Sequence, residues 1–297
     1  MRLALTGATG FVGRHFISAA IRRGFEVVAL TRNPAKDVHD CVETRPFSLE
    51  EKPDLSGCEA VVHLAGEPIV GLWTAAKKRR VRESRVQGTR RVAEAIRELG
   101  AKGQAPEVLV SAGAVGYYGD CGETELTERD GAGTDYLSQT CAMWEQEAAA
   151  VENVCRVARL RIGNVLGRDG GMLRVLRTVF RLCLGGRLGS GQQWMPWIHI
   201  DDLVGLLLFA VENLDVHGPV NACAPWPVRN ADFTRQVAKA LHRPAFLHAP
   251  GFMLRLLFRD FGRGMLASQR VLPAVALDQG FGFRFPELGG ALQDALA

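Results

Sequence analysis

No pair of cysteines in this 297-residue chain has C-x-x-C spacing, and none of the seven stands at zinc-site distance from a histidine. A structural zinc site or a thioredoxin-like redox centre is therefore not expected, and no metal is assigned. An odd number of scattered thiols predicts reduced cysteines in a cytosolic compartment. Long apolar runs are lacking too. The longest, residues 203–211, contains Gly205 and is too short to span a bilayer. No signal segment is expected, because a core strand begins at Arg2. These absences predict a cytoplasmic protein without a membrane partner. Nor is there a basic run interleaved with aromatics. Lys77-Lys78-Arg79-Arg80 is the nearest and reads as a solvated helix face, and a net charge of +4 is mild. Nucleic acid is not an expected partner; an anionic small molecule suits the charge. Internal repeats and low-complexity linkers are absent as well.

What is present is a 47% hydrophobic, 23% charged chain, enough to bury a large α/β core. Strands at residues 2–6, 26–30, 60–64, 108–111 and 155–162, most of them short apolar runs, alternate with helical stretches, among them 74–99 and 135–151. Residues 41–54 read as a connecting region, and 112–116 as a small-residue turn. The pattern predicts a Rossmann-type doubly wound parallel sheet, an α/β fold. From Gly163 the texture changes to glycine-rich turns and shorter elements. Asp201 and Asn230 read as N-caps of helices 202–212 and 231–241, followed by helices at 251–258 and within 286–296. The expected organisation is a cofactor domain over residues 1–166 and a smaller C-terminal substrate lobe over 167–297. Part of that lobe, about 198–240, is expected to pack back on the first domain.

The first strand runs into Gly7-Ala-Thr9-Gly10-Phe11-Val-Gly13 and then a helix. A pyrophosphate needs closely approaching backbone N–H groups, which glycines permit, and a helix N-terminus adds a favourable dipole. Three glycines alone could serve any tight turn. Their place after a strand, before a helix and ahead of a second strand favours a dinucleotide. The second strand delivers Thr31, Arg32 and Asn33, with no acid to accept from a ribose 2′-hydroxyl. A guanidinium there suits a 2′-phosphate, which predicts NADP(H), Arg32 being otherwise a surface arginine.

Thr6 to Gly13, Val62-His-Leu64-Ala65-Gly66, Leu160-Arg-Ile-Gly163-Asn164-Val165 and Trp197-Ile-His199-Ile-Asp-Asp-Leu203 together resemble the extended short-chain dehydrogenase/reductase superfamily. Leu64-Ala-Gly-Glu-Pro68, Ser84-Arg85, Val115-Gly-Tyr117-Tyr118-Gly-Asp120, Trp144-Glu145, Gly189-Ser-Gly-Gln192 and the tail Gly280 to Leu288 resemble its YfcH-like epimerase-family branch. The resemblance implies a nicotinamide cofactor and a substrate cleft in the C-terminal half. It implies that Leu64, Ala65 and Gly66 pass beside the pyrophosphate or nicotinamide ribose. Ser111 would end the strand pointing at the nicotinamide, and Gly163 and Asn164 would lie near the carboxamide. Each could instead be a small residue making a turn.

Superfamily enzymes use a Tyr-x-x-x-Lys pair whose ammonium lowers the phenol's pKa. Anchored on Glu145, those positions fall on Leu137 and Cys141, the helper hydroxyl on Gly113 or Ala114, and the usual asparagine on Arg85. None can relay a proton in the usual way. Substitutes are Arg85, as a ligand for a cofactor phosphate or anionic substrate, and the phenols of Tyr117 and Tyr118; Cys141 reads as a core thiol. Asn164, Gln192, Gln193, Trp194 and His199 are candidate substrate contacts, with core packing the alternative for the tryptophan and a hydrogen-bonded structural role for the histidine. Two functions stay open. One is an NADP(H)-dependent oxidoreductase or epimerase-like enzyme on a small sugar- or nucleotide-like substrate. The other is a non-catalytic NADP(H) sensor. The stretch 255–263 reads as a partly buried helix or, less favoured, a partner-binding surface. A homodimer through helices 84–98 and 135–151 is the superfamily analogy.

Overall fold

Strands and helices alternate in the computed structural model, which describes residues 1–34, 38 and 40–297. The strands are β1 (Arg2–Thr6), β2 (Glu26–Thr31), β3 (Glu43–Pro46), β4 (Ala60–His63), β5 (Val108–Ala114), β6 (Glu125–Leu126), β7 (Arg156–Ile162), β8 (Asn164–Gly167), β9 (Gly186–Leu188), β10 (Trp194–Met195), β11 (Trp197–His199), β12 (Gly218–Ala222), β13 (Val228–Arg229), β14 (Leu247–Ala249) and β15 (Arg270–Val271). The helices are α1 (Phe11–Arg22), α2 (Ala75–Ala101), α3 (Tyr136–Ala149), α4 (Gly171–Arg181), α5 (Ile200–Glu212), α6 (Asn230–Leu241), α7 (Gly251–Phe258), α8 (Asp260–Leu266), α9 (Ala274–Asp278) and α10 (Leu288–Leu296).

Seven parallel strands form one sheet in the order β12-β7-β5-β4-β1-β2-β3. Crossover helices cover both faces of such a sheet, so its central strands must be apolar on both sides. Leu3, Leu5, Val27, Ala29 and Val62 pack with Phe16 and Ile17 of α1 and Leu206 and Leu207 of α5. The intervening Ala4, Val28, Leu30 and Val61 pack with Val92 and Ile96 of α2 and Ala148 of α3. This is the expected doubly wound Rossmann-type sheet. Strand order reverses between β1 and β4, and the crevice above their C-terminal ends is where such sheets bind ligands.

A second core lies among α4, α6 and α10, built on Leu173, Phe180, Trp197, Phe233, Val237 and Leu292. The chain is interwoven: β12 extends the main sheet beside β7, and α5 packs on α1, whereas α6 packs on α10.

The structure corrects several local expectations. The connecting region 41–54 contributes the edge strand β3. The small-residue stretch after Ser111 does not turn at once; β5 stays paired with β7 through Ala114↔Ile162. The cap of α5 is His199, whose Nδ1 accepts from the Asp201 N–H at 3.2 Å. Asp202 instead accepts the N–H groups of Arg284 and Phe285, at 2.7 and 2.9 Å. Asn230 lies inside α6, its Oδ1 occupied by the Leu188 N–H at 2.8 Å. No helix among the described residues is long and apolar enough to cross a membrane.

Candidate functional site

The turn after β1 is shaped by backbone crowding. Gly7 has φ +74°, and a Cβ there would lie 2.9 Å from the Leu64 carbonyl carbon. A Cβ on Gly13 would come within 2.2 Å of the Gly7 oxygen. Gly10 is the N-cap of α1, contributes no side-chain hydrogen bond, and no acid stands in the first turn. The Gly10 N–H donates to the Gly7 oxygen at 2.9 Å, which leaves the next N–H groups of the first turn, at Phe11 and Val12, to an outside acceptor. Thr9 is exposed, and the Phe11 side chain turns away to pack against Gly167, Gly170 and Gly171.

The end of β4 is tied to the same turn. Thr6 Oγ1 accepts the N–H groups of Leu64 and Ala65, at 3.0 and 3.1 Å, and lies 2.7 Å from His63 Nδ1. With two amides accepted, the hydroxyl proton is best assigned to Nδ1, which puts the imidazole proton on Nε2. Burial lowers the His63 pKa to about 4, so the ring is neutral at pH 7. Ala65 is half-buried and Gly66 exposed.

Arg85 comes up beneath that loop from α2. A Cβ on Gly66 would sit 3.4 Å from its Cζ. Its Nη1 donates to the carbonyls of Glu67 (2.9 Å) and Val81 (3.2 Å), and its Cζ stands 5.2 Å from the Trp144 ring centroid. Burial pushes the guanidinium's pKa down, opposed by the Cys141 thiol and Glu67. Among the described residues it has no ion-pair partner. At the end of β2, Thr31 is half-buried and Arg32 exposed, also without an ion-pair partner among the described residues.

The relay positions hold no proton carrier. Leu137 packs under Gly264 of α8, where a Cβ would be 2.9 Å from its Cδ1. Gly113 lies with its Cβ position 3.1 Å from the Leu160 oxygen. Cys141 is buried, and burial pushes its pKa up to about 12, which matches the core reading. Ser111 is buried in mid-strand, its Oγ donating at 3.3 Å to the Ala112 oxygen.

Tyr118 and His199 are both buried. The Tyr118 hydroxyl is buried, accepts from Arg161 Nη1 at 2.8 Å and reaches Asn221 Oδ1 at 2.7 Å. Burial pushes its pKa up, so the phenol keeps its proton at neutral pH and gives it to Asn221 in a hydrogen bond. Arg161 also grips Glu145 bidentately, at 2.8 and 2.9 Å, and Glu128 Oε1 accepts the Asn221 N–H at 2.8 Å. His199 is buried against Phe285, with ring centroids 4.0 Å apart. Its Nε2 lies 3.3 Å from Asp294 Oδ2, without hydrogen-bond geometry. Tyr117 remains half-exposed, its ring 3.6 Å from the Arg161 guanidinium carbon.

The other C-terminal candidates have partners. Asn164 Nδ2 and backbone N–H both donate to the Pro196 oxygen, at 2.9 Å each, and a Cβ on Gly163 would meet that oxygen at 3.1 Å. Gln193 is buried and donates to Leu188 at 3.0 Å; Gln192 is exposed. Trp194 lies between the guanidiniums of Arg229 and Arg270, at 4.5 and 5.0 Å, its indole N–H given to Glu123. A cluster unforeseen from the sequence closes the near side. Trp73 stacks on Phe261 of α8 at 6.0 Å, Lys78 pairs with Asp260, and the Tyr136 hydroxyl donates to the Lys78 oxygen at 2.9 Å. Asp260 and Phe261 are far from residue 78 in sequence, so no periodicity could have joined them.

Strand order, the glycine turn at the switch point and the interwoven second core define a protein of the Rossmann class. More narrowly, the chain belongs to the NAD dependent epimerase/dehydratase family, whose model matches residues 3–223; a domain of unknown function, DUF1731, matches residues 249–295. It is 39% identical over 301 residues to the epimerase family protein SDR39U1 homolog, chloroplastic, of Arabidopsis thaliana, covering 99% of this chain and 86% of that one. The crystal structure of human epimerase family protein SDR39U1 with NADPH is 34% identical, with a TM-score of 0.89 over 100% of this chain and 99% of that one. A nucleoside-diphosphate sugar epimerase from Corynebacterium glutamicum is also 34% identical, with a TM-score of 0.80 over 100% of this chain and 58% of that one.

Proposed function

We propose that this protein binds NADP(H) at the β1/β4 switch point and acts as an oxidoreductase- or epimerase-like enzyme on a small sugar- or nucleotide-like substrate. The observation that carries the cofactor reading is the Gly7 turn, closed against Leu64 and Ala65 and opening onto the uncapped start of α1. Backbone N–H groups of the 7–13 turn, with Gly7, Thr9, Gly10, Phe11 and Gly13, would hold the pyrophosphate. Thr31 and Arg32 would take the 2′-phosphate, where an acid would repel it. Leu64, Ala65, Gly66, Arg85, Ser111 and Gly163 would line the remainder. The human relative crystallised with NADPH supports the choice of cofactor, and the Corynebacterium relative's name the substrate class.

The nicotinamide would supply hydride transfer when bound. Of the chain's own groups, Arg85 can bind an anion from beneath Gly66. Tyr117 is the phenol left to hold or release a proton. Asn164 and Trp194 would stand on the substrate side. In this reading residues 1–166 are the cofactor domain and 167–297 the substrate lobe, with α5 and β12 of the stretch at about 198–240 packed back on the first and α6 kept in the second core. The free thiols of Cys58, Cys121, Cys141, Cys155, Cys183 and Cys223 suit a reducing, cytoplasmic setting. A homodimer through α2 and α3 follows by analogy, and sedimentation as a monomer at micromolar concentration would remove it. A second reading, a non-catalytic NADP(H) sensor, is favoured by Leu137, Gly113 and Cys141 at the relay positions.

Titration calorimetry tests the cofactor. NADPH is expected to bind roughly tenfold to a hundredfold tighter than NADH, with Arg32→Ala removing most of the difference. Equal affinities in the wild type sink the assignment. A sugar-nucleotide and carbonyl panel then separates the two readings. Turnover lost in Arg85→Ala or Tyr117→Phe supports the enzyme; tight binding with no turnover supports the sensor.

A further inference from the structure

Large apolar side chains stand exposed in two segments of the C-terminal lobe, among them Leu182, Leu184, Phe246, Phe252, Leu256 and Leu257. Leu256 is 76% exposed and Phe246 75%. The segments adjoin: β14 pairs with β9 through Leu247↔Gly186, and Gly251, the first residue of α7, packs beside Gly189. Of α7 only Leu254 is buried. Exposed apolar side chains gathered on adjoining elements of a folded chain mark an interaction site.

Its charge is one-sided. Residues 170–200 contain Arg174, Arg177, Arg181 and Arg187 and no carboxylate. Residues 233–259 contain five further cations, Arg243, Arg255 and Arg259 among them, and again no carboxylate. Among the described residues, Arg181, Arg187, Arg243, Arg255 and Arg259 make no ion pair. The flanking carboxylates are already paired, Asp232 with Arg235 and Asp260 with Lys78 and Arg263, so self-association about a twofold axis would press this face against its own arginines without a free counter-charge. Nucleic acid would ask for stacking aromatics, where this face offers mostly leucines. A bilayer interface rich in anionic headgroups satisfies both halves at once: arginines meet phosphates while leucine and phenylalanine enter the acyl boundary.

We propose that the face formed by α7, β14 and the end of α4 docks on an anionic lipid surface. The expectation of no membrane partner rested on the lack of a spanning run. A face that lies on a bilayer needs none. Of the two readings of residues 255–263, the structure supports the partner surface at the α7 end, where Arg255 to Leu257 are exposed.

The test is sedimentation of the full-length protein with phosphatidylcholine vesicles containing phosphatidylglycerol, against phosphatidylcholine alone. The protein is expected to sediment with the anionic vesicles and to be released by salt. The F252S/L256S double variant, and separately R181E/R255E, are expected to lose binding by roughly tenfold or more, with unchanged melting temperature and NADPH affinity. Three results would overturn the proposal: no sedimentation with anionic vesicles at low salt, binding equal to wild type in both double variants, or a dimer in sedimentation velocity that F252S/L256S dissolves.

Discussion

Thr6 Oγ1 and His63 Nδ1 lie 2.7 Å apart at the adjoining ends of β1 and β4, both fully buried. The pair joins the two strands at the switch point, and the same hydroxyl holds the first two amides of the loop that crosses Gly7. Thr6→Val keeps the shape and strands those amides and the imidazole. It is expected to cost about 1–3 kcal/mol and to weaken NADPH binding, whereas Thr6→Ser retains both. Chemical denaturation and calorimetry read the two effects; a Thr6→Val protein equal to wild type in both would refute this role.

His63 makes stability depend on pH. Its native pKa is lowered by burial from 6.5 to about 4, so the unfolded chain takes up the proton first. The contribution is whole above 6.5 and is lost as pH falls from 6.5 toward 4, a loss of about 3 kcal/mol over that window. Burial also lowers the pKa of His199, with the same sign. The difference between wild type and His63→Gln therefore isolates the His63 share, and urea midpoints from pH 7.5 to 4.5 should fall less steeply in the variant.

Gly7 and Gly24 both have positive φ, yet only Gly7 is crowded, with nothing within 4 Å of a Cβ at Gly24. Gly24→Ala should cost about 1 kcal/mol in stability and leave NADPH affinity unchanged. Gly7→Ala should lose cofactor binding as well, because Leu64 and Ala65 must move. Equal affinity in the two variants would argue against the turn as the phosphate site.

The Glu145–Arg161 pair is buried on both sides, at 9% and 3% side-chain exposure. Glu145→Ala leaves a guanidinium without its counter-charge and is expected to cost about 3–5 kcal/mol. Tyr118→Phe, which removes one hydroxyl from the same network, should cost about 1–2 kcal/mol. Thermal unfolding distinguishes them, and similar melting temperatures would show that the network is not load-sharing in this way.

The sheet was readable because parallel strands buried on both faces appear as short apolar runs, and helices α2 and α3 as periodic ones. Gly7, Gly10 and Gly13 were readable because crowding at a strand-to-helix turn is a local constraint. Long-range pairing was not. Glu145 marks a register in the sequence, but its partner Arg161 lies across α3 on β7. Strand 155–162 carries three arginines, Arg156, Arg159 and Arg161, and nothing local says which of them takes the buried counter-charge. His199 and Tyr118 look reactive in sequence because imidazole and phenol are versatile. Only three-dimensional placement shows one spent as a helix cap and the other as a rung between Arg161 and Asn221.

Leu137 beneath Gly264 has a consequence for anyone reshaping this protein. Restoring the family's tyrosine is not a one-residue graft, since a phenol longer than leucine would strike the backbone of α8 just where α8 is held by Lys78–Asp260 and Trp73–Phe261. The packing of α8 on Leu137 and the missing hydroxyl are one departure in two places. Leu137→Tyr would have to be accompanied by a lifted or shortened α8, and a chain carrying only half of that change should be worse than one carrying neither.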